Sequence, residues 1–179
     1  MRIGHILYFS PNVKFADLGT AGPQTLLEAF RDRVEGYYLQ PAMRSVEAGD
    51  AFAGGIVCCA AIELIADMLA DQQPCDWLAA NIPEFANAET RPFWGYFRDG
   101  LMHEGRIRGN EQLSGQFSLQ APRMVERIGS LLIVNPGLLL NTVAEAFQRN
   151  CEQGTEPQIA RLARSLRRRF RAEIEAAKE

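Results

Sequence analysis

Apolar positions recur at spacings of three and four along most of the chain, the period of a helix with one buried face. Leu26, Leu27, Phe30, Val34 and Tyr37/Tyr38 keep that spacing and predict a helix over 23–40, which Pro41 bends or ends. Asp50 is placed to cap a second helix over 50–70, with Phe52, Ile56, Cys59, Ile62, Ile65, Ala66 and Leu69 on one face. Residues 71–89 read as a connector, broken by Pro74 and Pro83 and pinned to the core by Trp77, Leu78 and Phe85. A third helix spans 91–104 and stops at Gly105, since glycine readily takes the left-handed conformation beyond a helix end. Asn135 and Pro136 supply an N-cap and a first-turn proline for a fourth helix, 136–153, striped by Leu139, Leu140, Val143, Ala144 and Phe147. Gly154 closes it, and Thr155 to Pro157 open a fifth helix over 156–178.

The pattern changes in two places. Residues 1–22 contain a short apolar piece, Ile3 and Ile6 to Phe9, whose spacing does not decide between strand and helix. Over 106–134, turn signals at Gly109-Asn110 and Ser114-Gly115 precede Phe117/Leu119 alternation and the run Ile128 to Val134, which predicts a small antiparallel β insertion. The expected fold is mainly α: a single-domain helical bundle over 1–179 carrying that insertion.

With 179 residues, 47% of them hydrophobic, the chain suits one domain with a full core. No apolar stretch approaches the roughly 20 residues of a membrane helix, and the best, Gly54 to Ile62, runs into Glu63. No export signal precedes the first apolar piece, so the reading is a soluble cytoplasmic protein. Cys58, Cys59, Cys75 and Cys151 form no Cys-x-x-Cys pair, and only His5 and His103 could join them, so no metal and no cofactor are expected. Gly54-Gly55 lacks the lysine and spacing of a phosphate loop, and no nucleophile elbow is present.

Charge is uneven. Residues 155–179 hold seven Lys/Arg against four Glu, a net of +3, which leaves −6 for the other 154 residues of a chain with a total of −3. An acidic body argues against coating long duplexes. Arg164, Arg168 and Arg171 share one face of the last helix opposite Leu162, Leu166, Phe170 and Ile174, as either an RNA track or a solvated face.

One stretch departs from ordinary bundle sequence, Phe93 to Ile107. At about 100° per residue, Phe93, Trp94, Phe97 and Leu101 face the core, while Arg98, Asp99 and His103 share the other side. Gly95 and Gly100, each costing about 1 kcal/mol relative to alanine inside a helix, suggest that another backbone comes close. Asp99 lies four residues before His103, where a carboxylate can orient an imidazole. Arg98 and His103 stand about 140° apart on an ideal helix, so they converge only if two copies of this helix meet around a two-fold axis. Histidine, with an ordinary pKa near 6.5, suits acid–base work at cellular pH, and arginine grips phosphate bidentately without losing its charge.

The string Arg98-Asp99-Gly100-Leu101-Met102-His103 is Arg-x4-His with a polar second residue. It ends an aromatic helix and is followed by Glu104-Gly105-Arg106-Ile107. In this it resembles the motif of the HEPN family, the higher eukaryote and prokaryote nucleotide-binding domains. The match is strongest over 93–107, and the helical layout of 23–104 and 136–178 is compatible with it.

The resemblance implies a helical bundle that forms a homodimer through its motif helices. It further implies a metal-independent endoribonuclease in a toxin or phage-defence role, with RNA as substrate and an antitoxin protein as partner. Arg98 would neutralise the scissile phosphate, His103 would exchange protons with the 2'-hydroxyl or the leaving oxygen, and Asp99 would position the site. Asp99 replaces the Asn of the commonest pattern and brings negative charge beside the phosphate. Arg106 and Arg108 either guide RNA or are solvated strand ends. Trp94, Tyr96 and Phe97 are core and interface residues or platforms for base stacking. Glu63 is a surface residue or an acid behind the site. Two further readings stand beside the enzyme: a non-catalytic module that binds RNA, a nucleotide or a protein, and a helical dimer whose Arg and His only stabilise the interface.

Overall fold

The computed structural model describes residues 1–85, 90–107 and 114–177, and the fold is mainly helical. Its centre is helix α4, Ala51–Ile65, started by Asp50, whose carboxylate accepts from the Ala53 backbone N–H at 2.9 Å. Cys58, Cys59, Ala61, Ile62 and Ile65 are buried, and a π-helical turn, Ala66–Ala70, continues the helix. The two form a helix of 20 residues, Ala51–Ala70, long and apolar enough by length and composition to cross a membrane. This corrects the expectation that no apolar stretch reaches that length. Its most apolar stretch is 56% buried inside the protein, the position of a core helix. Phe52, expected on the buried face, is 45% exposed.

Around α4 pack the other helices. A hairpin of β1 (Arg2–Ile3) and β2 (Ile6–Leu7) and the short helix α1 (Phe15–Leu18) precede α2 (Pro23–Val34), which meets a π turn at Glu35–Leu39 and then α3 (Gln40–Glu47). Of the two expectations for Pro41, a bend or an end, the second is not met: the helix does not end there. Proline cannot close an i→i−4 bond and its ring crowds the carbonyl four residues back. The widened turn just before it, where the Gln40 N–H bonds Glu35 O, accommodates both defects. The connector contains helix α5 (Pro74–Asn81) and a 3₁₀ turn (Pro83–Phe85), and Trp77, Leu78 and Phe85 are fully buried as expected.

The motif helix begins as α6 (Thr90–Phe93) and continues as a π-helical segment, Trp94–Glu104. Next come β3 (Ser114–Phe117), β4 (Val125–Ile128) and β5 (Leu131–Val134). The insertion is a mixed sheet. β4 and β5 form the antiparallel hairpin, with Gly129 at φ +60 in its turn, while β3 joins the other edge of β5 in parallel. Phe117 of β3 inserts where Gly55 of α4 has no side chain: a Cβ there would stand 2.3 Å from its ring.

β5 runs into α7 (Pro136–Glu152), whose start is set by Asn135 Oδ1 accepting from the N–H groups of Gly137 and Leu138 at 3.0 and 3.2 Å. α8 (Glu156–Arg169) opens with a Thr155/Gln158 capping box, breaks at Phe170 and continues as α9 (Arg171–Ala176). α4 lies against α3 and α7, α8 against α2, and the motif segment against α4 and β3, around one continuous apolar core.

Candidate functional site

The motif segment is anchored by aromatic packing. Phe93 and Phe97 are fully buried with ring centroids 5.3 Å apart, and Phe97 meets Phe117 at 4.7 Å. Trp94, expected in the core, is only half-buried, and the Arg98 guanidinium stacks 5.8 Å above its ring. A Cβ at Gly95 would meet nothing within 4 Å, so among the described residues no backbone explains that glycine. The segment ends at Gly105, φ +67, whose N–H bonds Gly100 O five residues back.

The π conformation changes the geometry that an ideal helix predicts. Hydrogen bonds from i to i+5 close a wider turn, so residues five apart come into line. Arg98 and His103 are five apart, and Arg98 Nη1 lies 3.2 Å from His103 Nε2 within one chain. The expectation that they meet only across a two-fold axis is corrected. A guanidinium only donates, so in a hydrogen bond between them Nε2 is the acceptor.

Arg98 also reaches across to α4. Its Nη2 donates to Glu63 Oε1 at 2.6 Å and to Oε2 at 2.8 Å, and its Nε donates to Oε2 at 3.2 Å. Its Nη1 donates to Asp99 Oδ1 at 2.8 Å. The Glu63 hydrogen bond raises the Arg98 pKa further, against the opposing effect of burial, and Asp99 adds to it. Asp99 thus serves Arg98 rather than the imidazole. Among the described residues one guanidinium stands against two carboxylates here, beside an exposed His103.

Of the other expected site residues, Arg106 is 71% exposed and pairs with Glu104 at 3.1 Å, while Arg108 and the Gly109-Asn110 turn lie outside the described residues. Glu63 is the acid behind Arg98; its signal in the sequence is a carboxylate interrupting an apolar core helix. It also lines a cavity of about 450 Å³ shared with Tyr38, Asp67, Gln72, Gln73 and Arg169, which sequence reasoning missed. Among the described residues, no three His, Cys, Asp or Glu side chains gather as a metal site would require. No family model, curated protein or solved structure matches this chain.

Proposed function

We propose that the chain is a HEPN-type, metal-independent endoribonuclease, acting in the cytoplasm as a homodimer in a toxin or phage-defence role with an antitoxin partner. The observation that carries this reading is the contact between Arg98 and His103 at 3.2 Å, with the guanidinium held from behind by Glu63.

The guanidinium has two working edges. Glu63 occupies Nε and Nη2 and fixes its position; Nη1, shared by Asp99 and His103, is the exchangeable one. A phosphate oxygen takes Nη1 from Asp99 and releases the His103 Nε2 lone pair. The ribose 2'-oxygen then attacks phosphorus while its proton passes to Nε2. The bond from phosphorus to the 5'-oxygen breaks, and that oxygen takes a proton from the imidazolium form of His103 of the second copy, which returns to neutral imidazole and leaves a cyclic phosphate. One imidazole cannot be acid and base in the same step, which is the chemical reason for the dimer.

A second reading has its own observation. Arg98 already satisfies two carboxylates, as it would in a non-catalytic module where it ties the motif segment to α4. RNA cleavage in EDTA separates the two. The enzyme is expected to leave 2',3'-cyclic ends, and His103→Ala to lose about 10²- to 10⁴-fold in rate. Obligatory metal dependence, or full activity of that variant, would overturn the nuclease reading.

A further inference from the structure

Leu162, Ala163 and Leu166 bury one side of α8. On the other side opens a cavity of about 500 Å³ lined by Asp71, Arg161, Arg164, Ser165 and Arg168. These α8 positions are spaced i, i+3, i+4 and i+7, one helix face. Arg161 is fixed there: its Nη1 pairs with Asp71 at 2.8 Å and its Nη2 donates to Leu69 O at 2.6 Å. Burial, and then the like charge of Arg164, lower its pKa. Arg164 and Arg168 are exposed and make no ion pair among the described residues. Three arginines therefore face one carboxylate, an excess of two positive charges on a chain of net −3. Like charges at i,i+4 destabilise a helix, and no ion pair of Arg164 or Arg168 among the described residues offsets that cost. A group that complements this excess is an anion.

We propose that this cavity binds successive phosphates of single-stranded RNA and leads the strand to Arg98 and His103. The destination of the strand rests on the nuclease reading; the binding does not. Asp71 follows directly on the helix that carries Glu63, eight residues earlier, or about 12 Å at the rise of a helix. Between them Arg169 pairs with Asp67 at 2.7 Å in the cavity that Glu63 also lines. The linings of the two cavities are adjacent along the chain at Asp71/Gln72 and at Arg168/Arg169, and the second is lined by Glu63, the partner of Arg98. Arginine grips phosphate oxygens bidentately, and Ser165 adds a hydroxyl donor. In that second cavity Tyr38 offers a ring for stacking and Gln72 and Gln73 offer amides for base edges. These suit a nucleic acid better than an acidic peptide, which needs only the charge.

The test is fluorescence anisotropy of the full chain with a short single-stranded 2'-O-methyl RNA, which 2'-attack cannot cleave, between about 50 and 200 mM salt. The double variant Arg164→Gln/Arg168→Gln is expected to bind at least about tenfold more weakly, with a salt slope reduced by about 1.4, two phosphate contacts on a single strand. Arg164→Lys/Arg168→Lys, which keeps the charge and guards against a folding defect, is expected to restore most of the slope. Unchanged affinity and slope in the Gln variant, or equal competition by polyglutamate of matched length, would overturn the proposal. Arg-dependent binding of ordinary RNA that is never cut removes the nuclease and leaves this site. His103-dependent cleavage with binding indifferent to both arginines removes this site and leaves the nuclease.

Discussion

Cys59 sits one helical turn before Glu63. Burial raises its thiol pKa to about 12; the nearby Arg98 charge works in the other direction and is outweighed. Burial likewise raises Cys58 well above its ordinary value and Cys151 to about 12, while Cys75 is half-buried and less strongly raised. The thiolate is the reactive form, so in the native protein iodoacetamide is expected to label Cys75 first, and Cys58, Cys59 and Cys151 only on unfolding. Mass spectrometry of the labelled protein checks this, and early labelling of Cys59 would contradict the packing of α4. Residue chemistry of this kind was legible beforehand, since the apolar period over 50–70 puts Cys59 on the buried face. Glu63 was legible as one of two readings, a surface residue or an acid behind the site, but its pairing with Arg98 was not. Glu63 lies 35 residues away on another helix, and no local spacing announces a contact of that range.

At the scale of elements, caps and stripes follow from neighbours within a turn or two. Asp50, Asn135 and Gly105 act where their side chains or conformational freedom predict. The π segments do not follow from such signals. They answer to tertiary demands, since the motif segment must keep Phe93, Phe97 and Leu101 in the core while Arg98 reaches Glu63. The parallel arrival of β3 was equally hidden, because alternation gives the faces of a strand and not its neighbour.

The close approach of β3 to α4 yields a test at this scale. A Cβ on Gly55 would lie 2.3 Å from the Phe117 ring. Gly55→Val is expected to cost about 1–3 kcal/mol by overpacking, a fall of a few degrees or more in melting temperature. Gly55→Val/Phe117→Ala should recover part of that loss. An unchanged unfolding curve for the single variant would rule out this docking.

For the whole molecule, the proposed dimer turns on Gly95, whose Cβ direction is open in the single chain. If two motif segments meet there, Gly95→Leu is expected to weaken self-association about 5- to 150-fold, the effect of about 1–3 kcal/mol of overpacking, with little change in the fold. Sedimentation of wild type and variant over a range of concentrations measures this, and a wild type that stays monomeric throughout would sink the dimer.

Helical period, caps, a core stripe through the aromatic motif and the residue types that carry chemistry could all be read from the chain alone, because each depends on interactions within a few positions along it. The tertiary structure decided how those residues meet. It widened the motif helix so that Arg98 and His103 align, set Glu63 behind the guanidinium, and brought the arginine face of α8 to the end of the helix that carries Glu63. These arrangements rest on packing between segments remote in sequence, whose energies no local pattern records.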